Sequence, residues 1–152
     1  MTLSKAEREA LRMMFGGRCA YCGCELSGKW HADHVEAVER GGGWVKVPRE
    51  NAPMGYGWKY KGDGKLGKPE NDRFDNLFPS CVKCNILKCS GNVENFRSTL
   101  TYMAHSIPTI KTYSHVHHLM RFAKLTIDPT PAVFWFEKWR AEHSPDRTQD
   151  AL

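Results

Sequence analysis

Cys81-Val82-Lys83-Cys84-Asn85-Ile86-Leu87-Lys88 is the stretch on which the fold turns. Two cysteines spaced C-x-x-C can bite a single metal ion, because their thiolates converge on one point. A second pair, Cys19-Ala20-Tyr21-Cys22, stands far upstream. Together the pairs supply Cys19, Cys22, Cys81 and Cys84 as a closed tetrahedron of thiolates. That is what a structural zinc needs, since a catalytic zinc keeps one position open. The gap between the pairs is too long for a simple zinc ribbon. Something is folded between them, with the metal stapling its ends. Cys24 and Cys89 each trail a pair and read as ordinary thiols.

Between the pairs, His31-Ala32-Asp33-His34-Val35 reads as a strand that ends in adjacent carboxylate and imidazole. Asp75-Asn76-Leu77-Phe78-Pro79-Ser80 then leads directly into Cys81. This set suits phosphodiester hydrolysis. An imidazole is unprotonated often enough at neutral pH to activate water. A hard divalent cation, held by one carboxylate and one amide carbonyl, neutralises charge on the phosphate. If 81–89 is helical, Asn85 and Lys88 share a face.

The combined pattern resembles the HNH endonuclease family, in particular its branch with a four-cysteine zinc site. It runs from Arg18-Cys19-Ala20-Tyr21-Cys22-Gly23 through Asp33-His34 and Arg40-Gly41-Gly42 to Asn76-Leu77 and Cys81-x-x-Cys84-Asn85-x-x-Lys88. It covers residues 18–90, about half the chain. The resemblance implies an α+β fold with a zinc-stapled ββα-metal core, a long inserted loop and flanking helices. It also implies that His34 is the general base, and that Asp33 and Asn85 hold a catalytic Mg²⁺ or Mn²⁺. Asn76 would brace the strand-loop geometry and help orient the histidine. Lys88 and Arg40 are candidate phosphate contacts. The chain departs from the pattern in the roughly forty residues between its two strand segments, where many members have a short loop.

That insertion, 41–75, holds many of the chain's glycines between positions 41 and 67, and reads as a long loop or loop plus hairpin. Lys46, Lys59, Lys61 and Lys65 alternate there with Trp44, Tyr56, Trp58 and Tyr60, a mixture suited to DNA backbone and base contact. Glu50, Asp63, Glu70 and Asp72 dilute the charge. Outside the core, residues 4–15 read as an opening helix, with Ser4 and Glu7 forming a capping box before Gly16-Gly17. Beyond residue 91 the chain is expected to be a mainly helical extension. Apolar stripes run at Val93, Phe96, Leu100 and Met103, then at Val116, Leu119, Met120 and Ala123. The apolar run 132–136 is expected to be a buried strand, with Trp135 and Trp139 in core or docking roles. His105, His115, His117 and His118 read as solvated helix histidines.

The 152 residues are enough for one domain with a real core, and the formal net charge of +5 favours a polyanionic partner without demanding one. With neither a membrane-length apolar run nor a signal-peptide pattern, the expectation is an intracellular, cytoplasmic protein. Oligomeric state is left open between monomer and homodimer. A second class of function uses the same cysteines and charge: a non-catalytic, zinc-stabilised nucleic-acid-binding or interaction module. Asp33-His34 with Asn85 speaks for the enzyme, because a binding module has no need of them.

Overall fold

A computed structural model describes residues 2–48, 50 and 57–144 of the chain. The first helix, α1 (Lys5–Met13), begins as the capping box requires. The Glu7 amide donates to Ser4 Oγ at 3.2 Å, and the Ser4 amide donates to Glu7 Oε2 at 2.8 Å. Gly16 and Gly17 end the helix in left-handed backbone, with φ of 67° and 73°. Gly16 is doubly constrained, because a Cβ there would lie 2.7 Å from the Trp139 ring.

Strand β1 (Trp30–His34) and a later strand, Leu77–Cys81, form an antiparallel pair with Trp30 opposite Cys81 and His34 opposite Leu77. Helix α2 (Val82–Lys88) follows without a loop, its first turn capped by Cys81, whose Sγ accepts the Cys84 amide at 3.5 Å. The expected inserted loop is largely a second antiparallel sheet, β2 (Arg40–Lys46) with β3 (Trp58–Leu66). The hairpin alternative is the one realised, although its glycines erase the alternation that would have marked the strand bounds. Two 3-10 turns, Pro69–Asn71 and Phe74–Asn76, lead from β3 into the Leu77–Cys81 strand, β4. Tyr56, at the far end of the insertion, lies outside the described residues. Among the described residues the fold is thus α+β, with five helices and two small antiparallel sheets.

Helices α3 (Val93–Ser106) and α4 (Ser114–Arg121) form over the two apolar stripes, but Ala123 falls beyond α4 in left-handed backbone and Leu119 stays exposed. The expected strand over 132–136 is not formed. Residues 131–134 are in no strand, and Trp135 already starts α5 (Trp135–His143). The cause is Glu137, whose carboxylate accepts the Phe134 amide at 2.7 Å and so nucleates a helix. The first free amides of α5 then dock on the cysteine turn, Trp135 N on Tyr21 O at 3.0 Å and Phe136 N on Ala20 O at 2.8 Å.

The core these elements enclose is mainly aromatic. Phe15 meets Phe78 edge-on at 5.1 Å, Tyr21 meets Phe96 and Phe134 at 5.4 and 5.5 Å, and Phe96 stacks on Phe134 at 5.3 Å. Such pairs add about 0.5–1.5 kcal/mol each beyond their buried area. Arg97 binds α3 to α5: its guanidinium lies 4.7 Å above the Phe134 ring, donates to the Ala132 carbonyl and pairs with Glu137 at 2.6 Å. No described helix is long and apolar enough to cross a membrane.

Burial pushes the Glu137 carboxyl up, but Arg97 and the Phe134 amide prevail and hold it below its ordinary value. A carboxyl depressed on folding stabilises the native state above its unfolded pKa of about 4.3 and ceases to as pH falls through the folded value. Glu137→Gln is therefore expected to cost about 1 kcal/mol at pH 7, a figure reduced for the water around this ion pair. Urea unfolding at pH 7 and pH 4 should show the gap from wild type narrowing in acid.

Candidate functional site

The cysteine turn is built by backbone bonds. Cys19 N donates to Cys24 O at 2.8 Å and Gly23 N to Cys19 O at 3.0 Å, folding residues 19–24 into a tight knuckle. Gly23 takes φ 74° there, against the Trp135 ring. The knuckle abuts the start of α2, where Cys81 N donates to Cys19 Sγ at 3.3 Å. As a result Cys19, Cys22, Cys24 and Cys81 carry sulfurs within 4.8 Å of one another, and these four could hold a metal.

Bonds of about 2.3 Å in a tetrahedron put sulfurs about 3.8 Å apart, and the 3.8 Å between Cys22 and Cys81 is compatible with that. The composition of the foursome corrects the sequence expectation. Cys24, set aside on sequence, is inside it, because the Cys19–Cys24 backbone bond folds it back. Cys84 interacts with Cys19 and Cys22 but falls outside this closest group.

The thiols cannot all ionise unaided. A hydrogen bond from Cys84 draws Cys19 down to about 4. Burial, with Cys22 and Cys81 close by, pushes Cys24 up to about 12, and the bond to Cys19 pushes Cys84 up as well. A divalent cation is what would let several thiolates coexist here, so the donor chemistry fits a structural metal such as zinc.

From this anchor the second set of residues is positioned. Tyr21, inside the knuckle, donates its hydroxyl to Asp33 Oδ2 at 2.5 Å, and Lys88 Nζ pairs with the same oxygen at 3.1 Å. Burial and the Asp33 charge push the Tyr21 phenol up, so it stays a donor. Burial, the largest influence, holds Asp33 above its ordinary value although Tyr21 and Lys88 pull it down. Lys88 further donates to the His34 carbonyl at 2.7 Å.

The expectation that Lys88 holds a phosphate is therefore overturned. Its side chain is 1% exposed and its ammonium is consumed inside the protein, pinning β1 to α2. The helical geometry that gives Lys88 a common face with Asn85 also turns it beneath β1.

His34 and Asn85 are half-buried and line one groove with Asp33, His31, exposed Arg40 and Ser90, enclosing about 400 Å³. His34 Nε2 lies 3.0 Å from Asp72 Oδ1. Asn76 braces the chain just after β1. Its Oδ1 accepts the Glu36 amide at 3.0 Å, and its Nδ2 donates to Glu36 O and Asn71 O, each at 2.8 Å. Lys59 and Lys61 do not line the groove; they stand exposed on the hairpin, opposite Val45 and Gly43. The helix histidines form no metal-capable group among the described residues.

Sequence reasoning missed Asp72, which lies in the insertion with no local motif, and the role of Tyr21. Tyr21 had a signal, since a residue inside a C-x-x-C travels with the thiols. Compared with known protein families, with characterised proteins and with solved structures, the chain shows no significant match.

Two outcomes follow from this geometry. Cys81→Ser should release the metal and destabilise the fold, read by elemental analysis together with urea unfolding. Lys88→Met should cost about 3–5 kcal/mol, because it strands the buried Asp33 carboxylate. Part of that loss should return in the Asp33→Asn, Lys88→Met double variant if the uncompensated charge is its source.

Proposed function

We propose that the chain is a metal-dependent endonuclease of the HNH kind that hydrolyses DNA phosphodiesters. The observation that carries this is the convergence of Asp33, His34, Asn85 and Arg40 on one groove between β1, the start of β2 and α2. The pairing of β1 with β4 and the helix that follows support reading the centre as a ββα-metal core. The donor set fits a hard divalent ion. Both described contacts of Asp33 fall on Oδ2, which leaves Oδ1 as the carboxylate oxygen for a cation, and Asn85 offers an amide carbonyl. Mg²⁺ or Mn²⁺ held there would supply charge neutralisation at the phosphate and the leaving oxygen.

The protein's own groups supply the rest. Asp72 accepts the Nε2 proton of His34 and so fixes one tautomer, in which Nδ1 keeps its lone pair. That nitrogen takes the proton of the attacking water. Lys88 and Tyr21 hold Asp33 still, and Asn76 holds the turn that follows His34. Preorganisation of this kind keeps the reacting groups aligned. Arg40, exposed at the groove edge, is the cation placed to receive a phosphate.

The test uses zinc-loaded protein and supercoiled plasmid, with and without added Mg²⁺ or Mn²⁺. Wild type should nick or linearise the plasmid only when the ion is added. His34→Ala should keep its zinc and its DNA affinity while losing about 10²–10⁴ in rate, the usual worth of positioned proton transfer. Asn85→Ala should regain part of its rate as Mg²⁺ or Mn²⁺ is raised, since its defect lies in holding the ion. If folded, zinc-loaded wild type never cleaves, or His34→Ala cleaves at the wild-type rate, the nuclease assignment is wrong. A zinc-stabilised nucleic-acid-binding module then becomes the leading account.

A further inference from the structure

The β2–β3 hairpin holds three large aromatic side chains in water. Trp44, Trp58 and Tyr60 are 68%, 49% and 45% exposed. One such residue would be ordinary, but three on one face form a patch of the kind that marks an interaction site. The register puts Trp44 opposite Tyr60 and Lys46 opposite Trp58. Since side chains alternate along a strand, those four share one face, and Lys59 and Lys61 fall on the other.

The aromatic face is also built to be rigid. Tyr60 donates its hydroxyl to the Arg40 carbonyl at 3.0 Å, and its ring lies across Gly42. At Gly42, with φ 149°, a Cβ would come within 3.0 Å of that ring and 2.4 Å of the Lys61 carbonyl oxygen, so only glycine fits. Trp44 meets Tyr60 edge-on, with ring centroids 5.7 Å apart. Rings held in this way lose little freedom when something stacks on them.

The charge indicates what stacks. Strands β2 and β3 carry five basic side chains, Arg40, Lys46, Lys59, Lys61 and Lys65, against one acidic, Asp63. A second copy of the hairpin would bring like charges together, whereas a polyanion with flat apolar groups meets both features. We propose that this face stacks the unpaired bases of a DNA strand that continues into the groove at Arg40, an inference that rests on the endonuclease reading. A paired helix shows a protein its base edges and hides its base faces, so the aromatic face has nothing to stack on in intact duplex.

The hairpin also fixes a distance. Trp44 lies four residues from Arg40, roughly 13 Å at the rise of a strand. An unpaired strand would cover that distance with a few nucleotides. The substrate class is DNA with a single-stranded stretch near the cut, such as a flap, gap or junction.

The test measures binding without cleavage, using zinc-loaded full chain with no Mg²⁺ or Mn²⁺. Labelled oligothymidine and a duplex of the same length are titrated by fluorescence anisotropy. The Trp44→Ala, Trp58→Ala double variant should bind oligothymidine at least about tenfold more weakly, while duplex affinity stays within about threefold. Lys59→Ala with Lys61→Ala should weaken both ligands and flatten the salt dependence of each. Quenching of tryptophan emission by oligothymidine should diminish in Trp44→Ala.

Equal losses on the two ligands, or no loss, overturn the proposal. So does a wild-type dimer that the aromatic double variant converts to monomer, since the face then belongs to a second copy. The two readings fail separately. A protein that shows the selective loss yet never cuts plasmid keeps the stacking face and loses the nuclease. One that cuts plasmid while the double variant binds oligothymidine normally does the reverse.

Discussion

Sulfurs gathered within 4.8 Å, drawn from a knuckle at residues 19–24 and from the start of α2, are the constraint on which the other elements hang. Each thiol that ionises makes the next harder to ionise, so these thiols could hold a cation, which would join chain segments 59 residues apart. The consequences spread outward by short steps. The knuckle carries Tyr21 into the aromatic core and presents the Ala20 and Tyr21 carbonyls to α5, and the same closure sets β4 running directly into α2.

The buried Asp33–Lys88 pair is the second consequence. Such pairs seldom add net stability, because desolvation cancels most of their attraction, but they specify geometry, since any shift would strand a charge. Here the specification has an evident object. Lys88 touches both the Asp33 carboxylate and the His34 carbonyl, so the end of β1 is fixed relative to α2 and therefore to Asn85. Asn76 does the equivalent on the far side, tying the chain after His34 to the turn before β4. The two anchors together fix one edge of the groove.

The hairpin has a different physical character. It packs little of itself into the core, keeps its large aromatics exposed and owes its shape to glycine at Gly42 and to one tyrosine hydroxyl. Its first residue, Arg40, nevertheless sits on the groove. Groove and hairpin are one continuous surface along β2.

Much of this was legible in the sequence, because local chemistry leaves local marks. The capping box at Ser4 and Glu7, the apolar stripes of α3 and α4, the paired C-x-x-C spacings and the Asp33-His34 doublet each depend on residues a few positions apart. What the sequence could not disclose depends on which segments meet. Cys24 joins the closest thiol group because a backbone bond turns it back, and Asp72 reaches His34 from 38 residues away. Lys88 looked like a free cation until α2 packed under β1 and buried it. The run 132–136 looked like a strand, since apolar residues suit either state, and Glu137 decided for helix by capturing one amide. Spacing shows which residues can act together; burial and long-range hydrogen bonding, which only tertiary packing creates, decide which of them do.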